Sequence, residues 1–468
     1  MPTVLLEGHN HTYPIMDVLS MFCGVPVHED THQLSCGNDL ELIIRSVVTG
    51  ERVETFVDGG IHITQIRDED SLPEKREIKR QLYQVLSHLY QKTFPWGSLT
   101  GIRPTMVAGE AGTAQELIEK YYVREDKARL AIQVRAEEER LLEQTDPQGV
   151  SVYIGIPFCP TRCSYCSFIA YDSLAGSSRL EEYLEALYLE VMTFFRHSSL
   201  APEMIYVGGG TPTVFDDDLF CRGFEKILSV IPRQSVSEIT FEAGRADTVT
   251  QKKLQFLRQQ RVDRICINPQ TTSDDTLRRI GRNHTAEEYF RAFDMVRSCG
   301  FTTINSDLIA GLPGESADEY NKSLRDVLAF KPENVTIHTL SKKRRANLSG
   351  RLRELHRDMP SDPIDEMLRF SHETLFDHGY TPYYLYRQKN MVGGHENTGF
   401  TMPGHECRYN VAMMSDQRSI IGFGAQSMSK RAFASHRLER CPNVKDPNEY
   451  ISRTKEMADR KILFFSGE

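Results

Sequence analysis

The middle of the chain, between about residues 149 and 340, alternates short apolar runs with amphipathic segments. The apolar runs have the length of buried strands, and we predict strands at residues 152–156, 204–207, 239–242, 264–268, 303–309 and 335–338. Between the first two, Leu180, Leu184, Leu187 and Val191 fall on one helical stripe. Six strand–helix units in succession predict parallel strands and an α/β fold class, with a partial (β/α)6 barrel of the TIM type.

The two flanking regions carry different patterns. Residues 1–148 mix strand-like and helix-like segments, and two apolar runs around Thr49-Gly50-Glu51 predict a β-hairpin. Residues 341–468 contain a predicted helix at about 365–377 and an aromatic strand at 383–386, and the rest is rich in glycine. We therefore expect an N-terminal α+β accessory domain at residues 1–148, the barrel at 149–340, and a loop-rich C-terminal region at 341–468 that caps the barrel mouth.

Composition and charge argue against several classes of function. Hydrophobic residues make up 40% of the 468 residues and charged residues 26%, which is typical of a globular protein with a sizeable core. The net charge of −9 argues against a general nucleic-acid or anionic-membrane binder. No apolar stretch approaches the ~20 residues of a membrane span. Because the N-terminus also lacks the basic region of a secretory signal, we predict a cytoplasmic protein with reduced cysteines.

Three cysteines follow the first predicted barrel strand within eight residues, as Cys159-Pro-Thr-Arg-Cys163-Ser-Tyr-Cys166. Three thiolates on a four-iron cluster leave one iron without a protein ligand, and that iron can bind a chelating molecule. The alternative is zinc, which requires four ligands. The next cysteine is Cys221, and no histidine lies within ten residues of the triplet, so the pattern favours the cluster.

This triplet, with an aromatic residue between its last two cysteines, resembles the radical S-adenosylmethionine (SAM) superfamily. The resemblance implies a [4Fe-4S] cluster held by Cys159, Cys163 and Cys166. It further implies that the open iron chelates the methionine part of SAM. The reduced cluster would then cleave SAM to methionine and a 5′-deoxyadenosyl radical.

Polar residues and glycines stand at the ends of the later strands, where a parallel barrel places its ligands. Gly208-Gly-Gly-Thr-Pro-Thr213 follows the second strand, and Glu242 ends the third. Gln270 and Arg282 follow the fourth, and Asp307 interrupts the fifth. A tight turn is the alternative for the glycines, and a buried structural pair is the alternative for Asp307.

Together these segments resemble the oxygen-independent coproporphyrinogen III oxidase family, and the long N-terminal extension resembles its HemZ-type branch. The resemblance implies oxidative decarboxylation of two propionates of coproporphyrinogen III to vinyl groups, with a reduced flavodoxin- or ferredoxin-type electron donor. The residues that it places at the cofactors are Tyr153, Tyr165, Phe168, Gly209, Gly210, Thr211, Glu242, Gln270, Arg282 and Asp307.

One difference from the best-characterised oxidases keeps other functions open. Those enzymes have a further cysteine two residues after the triplet, where this chain has Ser167-Phe168. A phenylalanine there is also typical of relatives that act as heme chaperones, or that methylate or open heme. Candidates for tetrapyrrole contacts are Lys342, Lys343, Arg344, Arg345, His338, Arg387, Arg408, His395 and His405, each with a structural or solvent-exposed alternative.

Overall fold

Six parallel strands of the central region form the middle of one large sheet. The computed structural model describes residues 2–23, 27–30, 33–36, 42–57, 60–68, 71–101, 103–166, 171–172, 177–341, 362–388, 391–433 and 437–467. Within these residues the parallel strands are β7 (Val150–Ile156), β10 (Pro202–Gly209), β11 (Glu238–Glu242), β12 (Arg264–Cys266), β13 (Thr303–Ala310) and β14 (Asn334–Thr339). They pair in the order β14-β13-β12-β11-β10-β7, which confirms the predicted α/β fold with six parallel strands.

Helices separate these strands along the chain, as the amphipathic segments predicted. They are α6 (Ser177–Arg196), α7 (Asp217–Ser229), α8 (Gln251–Gln259), α9 (Asp274–Arg279), α10 (Ala286–Ser298) and α11 (Ala317–Ala329). The predicted stripe of α6 is buried, with Leu187 and Val191 fully inaccessible to solvent. Strand β12 ends two residues earlier than predicted, because Pro269 cannot donate a ladder hydrogen bond and restricts the backbone of Asn268.

Residues beyond 362 contribute more regular structure than we predicted. They form α12 (Asp362–Asp377), β15 (Thr381–Tyr386), β16 (Asn397–Thr401), α13 (Arg408–Met414), β17 (Ser419–Phe423), β18 (Met428–Ala432), β19 (Leu438–Pro442), α14 (Pro447–Ser452) and α15 (Thr454–Ser466). Strand β16 pairs with β14, and β17 pairs with β7, so this region extends both edges of the parallel sheet to eleven strands. The expectation of a mostly loop-rich segment was wrong for these residues.

The N-terminal residues form a separate α+β layer with its own core. Its strands β1 (Pro2–Glu7), β2 (Val27–Asp30), β3 (Gln33–Cys36), β4 (Leu42–Thr49), β5 (Arg52–Val57) and β6 (Ile61–Ile66) pair in the order β2-β3-β1-β4-β5-β6. The helices are α1 (Thr12–Cys23), α2 (Glu74–Tyr90), α3 (Pro104–Ala111), α4 (Ala114–Tyr121) and α5 (Glu125–Glu143). Strands β4 and β5 form the predicted hairpin, since Thr49 pairs with Arg52.

The chain divides into two compact units by its internal contacts. One contains residues 1–135 and 386–396, and the other contains residues 136–385 and 397–468. In the first unit, Glu396 accepts hydrogen bonds from the Trp96 indole at 2.8 Å and from Lys127 at 2.6 Å. A short C-terminal segment is therefore part of the N-terminal unit, while the three-domain division stays a prediction. Among the described residues, we find no helix with the length and apolar character to cross a membrane.

Candidate functional site

The cysteine triplet lies in the loop that follows β7. Cys159 ends the short strand β8 (Phe158–Cys159), which pairs with β9 (Tyr171–Asp172). Cys163 is buried, whereas Cys159 and Cys166 are half-buried. The backbone N–H of Ser164 donates to the carbonyl of Ile280 at 2.9 Å, and that of Cys166 donates to the carbonyl of Cys163 at 3.1 Å. The loop is thus fixed through its backbone from Cys163 to Cys166.

The glycine loop after β10 packs directly against Cys159. The Thr211 hydroxyl lies 3.5 Å from the Cys159 sulfur, and the Gly210 N–H donates to the Ile156 carbonyl at 2.6 Å. A Cβ atom at Gly210 would lie 2.5 Å from the Phe158 carbonyl oxygen and 3.0 Å from the Cys159 sulfur, so only glycine fits here. Burial raises the pKa of the Cys159 thiol to about 11, although Thr211 acts in the opposite direction. Binding of iron to this sulfur would therefore release a proton.

Glu242, at the end of β11, is held by two donors. The Tyr206 hydroxyl donates to its Oε1 atom, and the Gly209 N–H donates to its Oε2 atom at 3.2 Å. The Tyr206 ring stacks with Tyr153 at a centroid distance of 6.3 Å and with Tyr409 at 4.6 Å. Burial raises the pKa of Glu242 to about 7, because the charged form loses solvation. A carboxylate in this position can accept hydrogen bonds from an amino group or from ribose hydroxyls.

Arg282 connects the fourth strand–helix unit to the cysteine loop. Its guanidinium is buried and donates to the carbonyls of Gly244 at 3.1 Å and Asn268 at 3.0 Å, and to the Tyr165 hydroxyl at 3.2 Å. Tyr165 belongs to the triplet itself. The Arg282 Nε atom is buried and has no hydrogen-bond partner in the described part of the chain.

Gln270 and Asp307 meet through their backbones. The Gln270 N–H donates to the Asp307 carbonyl at 2.9 Å, and Gln270 has a φ of 68°, in the left-handed region. Its buried Oε1 atom has no partner among the residues described. Buried polar atoms are rarely left unpaired in native proteins, so Arg282 Nε and Gln270 Oε1 mark a place for a polar ligand.

Asp307 is half-buried, and two neighbours stabilise its charged form. Asn305 donates to its Oδ1 atom at 2.7 Å, and the His338 ring lies 3.5 Å from its Oδ2 atom. Burial acts to raise the pKa of Asp307, but the contacts with His338 and Asn305 outweigh it and hold the pKa below its ordinary value. His338 is thus paired with Asp307. This agrees with the structural alternative that the sequence left open for His338.

Comparison with known proteins places this arrangement in a family. Residues 153–327 match the model of the radical SAM superfamily. The chain is 35% identical over 83% of its length, and 82% of the relative's, to the oxygen-independent coproporphyrinogen-III oxidase-like protein HemZ of Bacillus subtilis. The chain belongs to this radical SAM family of coproporphyrinogen oxidase-like proteins. It is also 29% identical over 59% of its length, and 69% of the relative's, to the heme chaperone HemW of Bacillus subtilis.

The fold agrees with that of a solved family member. The structure of coproporphyrinogen III oxidase (HemN) from Escherichia coli, reported as a radical SAM enzyme, matches with a TM-score of 0.53. That match covers 69% of this chain and 73% of the HemN chain at 19% identity, so it concerns the fold alone.

The residues present fit the groups that the radical SAM family implies, a [4Fe-4S] cluster and SAM. The donor set is three cysteines, and Gly210 leaves the space beside Cys159 free of a side chain. The unpaired atoms of Arg282 and Gln270 fit a polar molecule such as SAM. Among the described residues, no three His, Cys, Asp or Glu side chains are grouped to hold a single metal ion. A four-iron cluster binds each thiolate at a different iron.

Phe168 and residues 342–345 lie outside the described residues. The structure describes the other candidates for tetrapyrrole contacts. Arg387 and His395 belong to the N-terminal unit, where Arg387 donates to the carbonyl of Gly394 at 2.8 Å. Arg408 donates to Ser237 at 2.8 Å, next to the amino end of β11 and so at the end of the sheet opposite to the cysteine triplet. His405 likewise contacts Thr303 at the amino end of β13, at 2.8 Å.

Sequence reasoning missed two residues that the structure places beside the site. Tyr206 lies two residues before the glycine loop, and Arg245 lies three residues after Glu242. The signal in the sequence is weak: each is a polar residue near the carboxyl end of a predicted barrel strand.

Proposed function

We propose that this protein carries out the oxygen-independent oxidative decarboxylation of coproporphyrinogen III, converting two propionates to vinyl groups to give protoporphyrinogen IX, in the cytoplasm. The observation that carries the proposal is the convergence of the cysteine triplet, the glycine loop, Glu242 and Asp307 at the carboxyl ends of the parallel strands. Family membership supports a tetrapyrrole as the substrate.

Each of these residues has a role in the proposal. Cys159, Cys163 and Cys166 would hold the cluster. The Arg282 guanidinium suits the carboxylate of SAM, and Glu242 can accept a hydrogen bond from its amino group. When bound, the cluster and SAM would supply one-electron chemistry that removes a hydrogen atom from the propionate. Loss of carbon dioxide would then release one more electron, which would pass to a one-electron acceptor. A reduced flavodoxin- or ferredoxin-type protein is the proposed electron donor.

The chain itself would orient the reactants and exclude water. The Tyr153, Tyr206 and Tyr409 rings stack beside Glu242, with Tyr409 buried and the other two half-buried, and this stack makes the surroundings of the carboxylate more apolar. In a site of low polarity, charged and hydrogen-bonding groups act more strongly than in water. A few polar contacts would therefore be sufficient to orient SAM.

A heme chaperone is the second candidate function. Two observations favour it: Ser167-Phe168 replaces the further cysteine after the triplet, and relatives named heme chaperone HemW cover 56–68% of this chain at 25–29% identity. In this case the cluster site would remain, but the tetrapyrrole would be bound without being changed.

An anaerobic turnover assay tests the proposal. Protein with a reconstituted cluster is reduced and given SAM and coproporphyrinogen III, and the products are identified by mass. We expect protoporphyrinogen IX, carbon dioxide and two molecules of 5′-deoxyadenosine for each product molecule. Cys163→Ala should abolish all three, whereas Cys299→Ala, outside the triplet, should not. Heme binding without SAM cleavage would favour the chaperone, and a methylated or ring-opened tetrapyrrole would point to heme modification; either result refutes the proposed decarboxylation.

A further inference from the structure

Arg245 is a buried arginine that reaches the cysteine loop. It is 2% exposed, and it follows β11 in the loop that begins at Glu242. Its Nη1 atom donates to the Thr161 hydroxyl at 2.7 Å and to the Thr161 carbonyl at 3.3 Å. Its Nε and Nη2 atoms donate to the two carboxylate oxygens of Asp247, both at 3.1 Å. All three nitrogens of the guanidinium are therefore engaged, and its orientation is fixed.

Thr161 stands midway between Cys159 and Cys163. Its hydroxyl accepts the hydrogen bond from Arg245 and donates to the carbonyl of Gly281 at 3.3 Å. The hydroxyl thus joins the cysteine loop to two other loops, one after β11 and one after α9. The same two loops are joined by Arg282, which donates to the Gly244 carbonyl.

The charge of Arg245 has a single carboxylate partner among these contacts. The Asp247 side chain is 23% exposed, whereas that of Arg245 is 3% exposed. Because little solvent surrounds this guanidinium, its positive charge acts on neighbouring groups with little screening unless a carboxylate offsets it. The bidentate pair with Asp247 supplies that offset two residues along the chain.

We propose that Arg245 and Thr161 are positioning residues that hold the cysteine loop in the shape required for the cluster, and that Asp247 offsets the charge of Arg245 beside it. The inference rests on the cluster of the proposed function. It concerns residues other than the three cysteines, the glycine loop and the proposed SAM contacts. Arg245, Thr161 and Asp247 would affect how firmly the protein retains the cluster and the reduction potential of the cluster.

Cluster retention tests the positioning role. Arg245→Gln removes the guanidinium, Thr161→Val removes the hydroxyl contacts with Arg245 and Gly281, and Thr161→Ser keeps the hydroxyl. With reconstituted protein under a chelator, we expect about tenfold faster iron loss from the first two, as outer contacts to metal ligands usually show, and near wild-type loss from Thr161→Ser. Arg297→Gln is the matched control, because Arg297 also pairs with a carboxylate, Glu333 at 2.9 Å, and donates to backbone carbonyls.

The reduction potential separates this role from a purely structural one. Asp247→Asn leaves the Arg245 charge without its partner and should shift the cluster potential to a more positive value. Arg245→Gln leaves the Asp247 charge and should shift it to a more negative value. Potentials are read by redox titration monitored by electron paramagnetic resonance, on samples whose thermal unfolding matches the wild type. If Arg245→Gln does not fold, the results for Thr161→Val and Asp247→Asn decide whether the inference holds.

The outcomes divide clearly between the two proposals. Wild-type iron retention in Thr161→Val, or no positive shift of the potential in Asp247→Asn, would overturn the inference while leaving the proposed function standing. Wild-type protein that assembles no [4Fe-4S] cluster would overturn the proposed function, and the inference with it.

Discussion

Glu242→Gln should stabilise the cluster-free protein at pH 8, even though it removes a residue of the proposed SAM site. Burial raises the pKa of Glu242 from its ordinary value of 4.5 to about 7. Between pH 4.5 and about pH 7, Glu242 is protonated in the folded chain and ionised in the unfolded chain. Stability therefore falls as the pH rises through this range, and the full cost is present above pH 7.

The size of the effect follows from the two pKa values. A difference of about 2.5, at about 1.4 kcal/mol for each pKa unit, costs the folded state about 3 kcal/mol above pH 7. Glutamine avoids this cost and can still accept the hydrogen bond from Tyr206. Its amide nitrogen, however, would face the N–H of Gly209, and the lost hydrogen bond costs about 1 kcal/mol. The net gain at pH 8 is then about 2 kcal/mol.

The assay is chemical unfolding of cluster-free wild type and Glu242→Gln at pH 5, 6, 7 and 8. The stability difference between the two should grow with pH and vanish near pH 5. Tyr206→Phe is the companion variant, because removing the donor to Glu242 raises its pKa further and should steepen the loss of stability with pH. A stability difference that does not change with pH would refute the reasoning, since it would mean that Glu242 is ionised at its ordinary pKa.

Three further predictions concern single side chains. Gly210→Ala should lower the iron content of reconstituted protein severely, measured against Gly101→Ala, because Gly101 has open space where a Cβ would stand. Lys461→Met should lower the free energy of unfolding by about 3–5 kcal/mol, because it leaves Glu190 charged, buried and without its ion partner, and adding Glu190→Gln should restore part of the loss. Gln270→Met should stabilise the ligand-free protein by about 1 kcal/mol, because it removes an unpaired buried oxygen. The same variant should weaken SAM binding in equilibrium dialysis, and equal SAM affinity would count against Gln270 as a contact.

The six barrel strands and their parallel direction could be predicted because each one is an apolar run followed by an amphipathic helix. Strand β7, for example, is buried at six of its seven positions, which is the pattern of a strand covered on both faces. The edges of the sheet could not be predicted in this way. Strand β17 pairs with β7, whose residues precede it by about 270 positions, and no local pattern encodes such a partner.

The cysteine triplet and the glycine loop were found because their chemistry is concentrated in short segments. Tyr206 and Arg245 were missed because a single tyrosine or arginine has many structural uses. Their importance depends on contacts across the fold, such as that of Arg245 with Thr161, 84 residues away. Segment 386–396 was missed for the same reason, since Glu396 meets Trp96 across 300 residues.

Three groups at the carboxyl end of the sheet carry an energetic cost that no sequence motif reveals. At the carboxyl end of the sheet, Gln270 has a left-handed backbone, Arg282 Nε is unpaired and Glu242 has a raised pKa. Glu190, by contrast, is fully buried yet accepts four donors, from Gly424, Asn443, Tyr450 and Lys461. Proteins retain strained and unsatisfied groups mainly where function requires them. Because Arg282 contacts Tyr165 of the cysteine triplet, and Glu190 shows that this chain can satisfy a buried charge, a ligand that completes the site would explain the cost there.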